Sequence, residues 1–142
     1  MNTFIKLEES YLSQLELRKE SCLSKAGQLR QDNKDDEANF EKVKANIYDV
    51  FKSIFIACKK KVYSNNKVSE SEKLEQFANE YLASFQRIPS SWRVKLEYAI
   101  ANHLLEERIL EESKLEVAKS LRELFITMKE GYYDRRTSDS TI

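Results

Sequence analysis

Apolar residues recur along this chain at spacings of three, four and seven, the repeat of one face of an α-helix. In the first segment Ile5, Leu12, Leu15, Cys22, Ala26 and Leu29 share such a face, with Asn2 or Thr3 placed to cap its start, and a helix is predicted to about Arg30. The polar run "QDNKDDE" interrupts the pattern. Its Asn33, Asp35 and Asp36 have short side chains suited to the free amides of a new helix start, where the helix dipole also favours acid. A second helix is expected over about 36–63, on the stripe Phe40, Val43, Ile47, Val50, Ile54 and Cys58, widened by Phe51 and Phe55. Lys59, Lys60 and Lys61 complement the negative pole of its dipole, and Asn65 or Asn66 is expected in the left-handed conformation that closes it.

The stretch "SESE" at 69–72 matches a capping box, and Leu74, Phe77, Ala78, Tyr81, Leu82, Phe85 and Ile88 form the stripe of the third helix behind it. Pro89 disfavours helical geometry at residue 88, so this helix is expected to be short, with Ser90 or Ser91 capping the next. From Trp92 to about Lys129 neither glycine nor proline intervenes. Leu96, Ile100, His103, Glu107, Leu110, Val117, Leu121, Leu124 and Met128 thread this region on one stripe. A continuous helix is therefore expected over 91–129, the alternative being a break near residue 113, where Ser113 and Glu116 make a second capping box. Unbroken, it would span about 58 Å, against about 28 Å for the third helix and about 42 Å for each of the first two.

These elements predict an all-α, antiparallel bundle of four main helices, the last the longest. One domain is expected over 1–130, and Gly131 would end the last helix ahead of a flexible polar tail, 131–142. The "PSSWR" junction before a long final helix resembles small bacterial helical proteins, and that resemblance implies no function.

Composition agrees with the helical reading. The 142 residues include 41% apolar side chains, enough for one core, while Gly 2 and Pro 1 are too few for the many turns of a sandwich or barrel. Basic and acidic residues balance at 24 each, so no global field draws in nucleic acid or an anionic membrane. Acidic residues in "MNTFIKLEESYL" argue against a signal peptide. The most apolar run, "IYDVFKSIFIACKKK", is interrupted by Asp49 and Lys52 and is too short for a membrane span, so a cytoplasmic protein is expected.

The candidate chemistry is sparse. The i, i+4 pair His103 and Glu107 could supply two metal ligands or a base with its orienting carboxylate, but a di-iron pattern cannot be assembled from one histidine preceded three back by Ile100. No spacing resembles a zinc cluster, and no metal or cofactor is expected. Cys22 and Cys58 would lie about 20 Å apart along a hairpin of the first two helices, beyond disulfide reach, and read as small buried hydrophobes. Two isolated glycines exclude glycine-rich phosphate loops.

The function expected from these features is a non-enzymatic interaction or scaffold domain that pairs with itself or another protein. A last helix longer than its neighbours would leave Leu110, Val117, Leu121, Leu124 and Met128 without an intramolecular partner, and that ridge would be the interface. The alternative is a nucleic-acid-associated regulator using Lys59, Lys60, Lys61 and Lys67, with Tyr63 stacking on a base. Lysines at a helix end need no ligand to explain them, which favours the first reading.

Overall fold

The computed structural model describes the backbone of residues 2–140 and the side chains of residues 3–132. Five helices follow in order: α1 (Asn2–Gln31), α2 (Asp35–Tyr63), α3 (Glu70–Arg87), α4 (Ser90–Ala101) and α5 (Leu105–Ser140). No strand occurs among the described residues. The expected all-α bundle is present, built from α1, α2, α3 and α5 around one core, with α5 the longest; α4 packs chiefly along α5.

Two turns are Schellman motifs made without glycine. Asn33 takes φ 61, with its N–H bonded to the Arg30 carbonyl at 3.0 Å and the Lys34 N–H to the Leu29 carbonyl at 2.8 Å. Asn33 thus ends α1 rather than capping α2, whose N-cap is Lys34 with no side-chain hydrogen bond; Asp35, Asp36 and Glu37 do fill its first turn. His103 repeats the geometry at φ 56, with the Leu104 N–H on the Ala99 carbonyl at 2.9 Å and Asn102 Nδ2 donating to the Tyr98 carbonyl at 2.8 Å. The expected continuous helix is therefore broken at residues 102–104, and residue 113 lies inside α5. α5 also continues through Gly131 to Ser140, so Gly131 does not end it. The flexibility expected of the tail 131–142 falls mostly outside the described side chains.

Other local expectations divide. Ser69 caps α3 by accepting the Glu72 N–H at 3.3 Å. Neither Asn65 nor Asn66 is left-handed; α2 closes on an ordinary helical Ser64. Ile88 keeps helical angles (φ −66, ψ −46) despite Pro89, because the preference against helix before proline is a bias that packing overrides. Pro89 itself occupies the N-cap of α4, and Ser90 Oγ donates back to the Arg87 carbonyl at 2.8 Å.

The core is aromatic. Phe4, Leu7, Tyr11 and Leu15 of α1 meet Phe51 and Phe55 of α2, Phe77, Tyr81 and Phe85 of α3, and Val117, Leu121 and Phe125 of α5. Phe51 stacks on Phe85 at 4.4 Å, and Tyr81 meets Phe125 edge-on at 4.9 Å. The buried faces of α1 and α2 are rotated from the predicted stripes: Ile5 and Val50 face outward, while Phe51 and Phe55, expected at the margin, sit at its centre. Antiparallel α1 and α2 are laced by Lys59–Glu8 and Lys52–Glu16 at 2.9 Å and Lys19–Asp49 at 3.0 Å. This register keeps Cys22 and Cys58 far apart, and both are free thiols whose burial pushes their pKa up.

Within the core Tyr81 donates its hydroxyl proton to the Phe51 carbonyl at 3.3 Å, so it accepts from the Tyr11 hydroxyl at 2.7 Å. Burial pushes both phenols well above their usual range and keeps them neutral. This direction of donation makes the pair unequal. Tyr11→Phe removes one hydrogen bond and is expected to cost about 0.5–1.5 kcal/mol, whereas Tyr81→Phe strands the buried Tyr11 hydroxyl and costs about 1–3 kcal/mol. Urea denaturation of the two variants measures the difference; equal losses would mean that Tyr81 does not keep its bond to the Phe51 carbonyl once the Tyr11 hydroxyl is gone.

Candidate functional site

The predicted interface ridge is covered by its own chain. Val117 and Leu121 are buried, Leu124 and Met128 pack against the core, and Leu110 is half-buried. The premise that this ridge outruns its neighbours fails because α4 is not the first third of one long helix. The turn at 102–104 folds α4 back along α5, and α1, α2 and α3 cover the rest.

The turn that covers one surface exposes another. α4 buries a single side chain, Ala99. Trp92 roots it, with its ring 6.5 Å from Phe51 and Lys114 Nζ 5.8 Å above it, so the chain's one tryptophan serves as an anchor. Val94 and Tyr98, an i, i+4 pair on the face away from Ala99, are 65% and 64% exposed. Beyond them Ile100, Leu104 and Leu105 crowd the turn, Leu105 being 66% exposed. Half of the exposed large apolar side chains of the described molecule thus fall between residues 94 and 105. Scattered apolar residues on a surface are ordinary; a concentration of five on one helix and the turn after it is the arrangement associated with a contact surface. Sequence reasoning missed it because Ile100 and His103 fit a buried stripe so long as the helix was taken as unbroken.

His103 is exposed at the tip, in a recess of about 210 Å³ shared with Ile100, Leu104 and Arg108. It stands in a turn and Glu107 in α5, so the single-helix i, i+4 geometry that made them a candidate pair is lost. Among the described residues no group of three or more His, Cys, Asp or Glu side chains is placed to hold a metal.

The lysine cluster is divided. Lys59 is held by Glu8 at 2.9 Å and Lys61 by Glu80 at 2.8 Å, leaving Lys60 and Lys67 exposed with no side-chain partner among the described residues. Tyr63 is half-buried, its ring 4.3 Å from Phe4 and beneath Lys73 Nζ at 5.7 Å, so it offers no free face of the kind base stacking requires. These placements remove much of what the nucleic-acid alternative depended on. No helix among the described residues is long and apolar enough to cross a membrane. Comparison of the chain with protein-family models, with curated proteins and with solved structures finds no match.

Proposed function

We propose that this protein is a non-enzymatic helical interaction domain that self-associates through the outer face of α4 and the turn following it. The reading rests on one observation, the exposure of Val94, Tyr98, Ile100, Leu104 and Leu105 on a single hairpin. Burying side chains of this size is worth about 1.5–3 kcal/mol each when complete. A second copy suits these residues because the charges in the first half of α4 are basic, Arg93 and Lys95, whereas Glu97, Glu106 and Glu107 lie toward and past the turn, where Arg108 is held by Glu112 at 2.8 Å. Antiparallel pairing about a two-fold axis sets the basic end of one hairpin on the acidic end of the other.

Light scattering across a concentration series is the test. The wild-type chain is expected to exceed the monomer mass, and Tyr98→Glu with Val94→Glu to bring it down to one chain without loss of helical circular dichroism. A wild-type mass of a single chain at every concentration, or an unchanged assembly in the double variant, would refute the proposal.

A further inference from the structure

Where α3 ends and α4 begins, the middle of α5 passes alongside, and the three enclose a groove of about 540 Å³. Its floor is apolar, made by Phe85, Pro89, Leu115 and Ala118. Its charged lining is entirely basic: Arg93 from the first turn of α4, Lys119 and Arg122 from α5. The spacing of Leu115, Lys119 and Arg122 places them on one helical face, which is why floor and cations coincide.

None of these three cations makes an ion pair among the described residues, whereas Lys52, Lys59, Lys61 and Arg108 each have a carboxylate within 3.0 Å. Arg93 has one long contact, 3.4 Å to the Gln86 carbonyl. Glu111, one turn before Leu115, is engaged by Lys114 at 3.2 Å. A chain with as many acids as bases has thus gathered three like charges around one cavity with no carboxylate in its lining. The N-terminus of α4 opens at the same place, and its N-cap Pro89 supplies no side-chain hydrogen bond to the first-turn amides.

We propose that this groove binds a small phosphate monoester carrying an apolar body. At neutral pH such a phosphate bears about −1.5 to −2 charge, which answers three cations better than a monocarboxylate does. The guanidinium groups of Arg93 and Arg122 can each engage two of its oxygens, Lys119 adds a point charge, and the organic part covers the apolar floor. The volume falls within the range of small-molecule sites, about 300–1,000 Å³.

Phenyl phosphate is the probe, titrated into the full-length chain by calorimetry and by amide chemical shifts of residues 90–93 and 119–122, with inorganic phosphate and benzoate alongside. Phenyl phosphate is expected to bind about tenfold tighter than either comparator. Arg122→Gln and Lys119→Gln, both at exposed positions, are each expected to weaken it by about tenfold, the usual scale for one charge-assisted contact, with an unchanged melting temperature. Lys60→Gln, on the distant face of α2, should leave binding as it was. Absence of binding at millimolar phenyl phosphate, benzoate binding equally well, or affinity that survives both groove substitutions would each overturn the assignment.

Discussion

Leu121→Glu is expected to unfold the protein. Leu121 is fully buried and belongs to the one apolar core cluster that α1, α2, α3 and α5 share. A carboxylate forced there is either ionised without a partner or protonated at neutral pH, and either costs several kcal/mol beyond the loss of packing. Domains of this size are stable by only about 5–15 kcal/mol, so one such change consumes most of the margin. Leu121→Ala, which leaves a cavity but no charge, is expected to cost about 2–5 kcal/mol and remain folded. Tyr98→Glu, on the outer face of α4, should alter stability by no more than about 0.5 kcal/mol. Thermal melts of the three variants followed by circular dichroism should rank them in that order. A cooperative melt of Leu121→Glu at the wild-type temperature would mean that α5 does not face the core as described.

Phe55→Ala should produce the second largest loss, about 3–5 kcal/mol, because the ring joins three helices at once. Its centroid lies 4.7 Å from Phe77, 5.3 Å from Tyr81 and 5.6 Å from Tyr11. The first two contacts are edge-to-face and the third is stacked; such pairs add to the burial of area, and the stiff neighbouring rings cannot collapse into the space that is left. Phe55→Leu, which retains most of the volume, should recover more than half of the loss. In a chain of this length the alanine variant should melt roughly 10–20 °C lower. A shift of only a degree or two would show that the aromatic cluster repacks freely.

The comparison between Leu121 and Tyr98 also separates the two surfaces considered for self-association. Charge on the α5 ridge attacks the fold, whereas charge on the α4 strip attacks only contacts outside it. An oligomer that dissociates with Tyr98→Glu while its melting temperature stays high is the signature of the second surface.

Much of the fold was legible in the chain. Helical class, the number of main helices, the capping serine at residue 69 and the stripe of α3 all follow from local pattern, because 3.6-residue periodicity and capping chemistry act within a few residues. The stripes of α1 and α2 were displaced by about one position because a broad apolar face leaves its centre undefined until a neighbour packs on it. Phe51 and Phe55 illustrate this, reading as flanking residues and lying at the middle of the core.

The candidate site was the less legible part, and one backbone choice accounts for it. His103 adopts a left-handed conformation that histidine takes more readily than most residues but that no glycine or asparagine at that position announces. The cost of order 1 kcal/mol is small beside the apolar area that α4 and α5 bury by folding together. Local pattern therefore permitted the unbroken helix, and long-range packing rejected it.

By itself the sequence determined that this is a helical protein with one apolar core, balanced charge and no membrane-length apolar helix among its described elements. Tertiary structure alone decided where the last region bends, and with it which apolar residues are covered and which are left to solvent. It also brought Arg93 to Lys119 and Arg122 across the groove. The physical reason is the range of the forces: helix propensity is summed over neighbours in the chain, whereas burial and charge convergence depend on residues that only folding brings together.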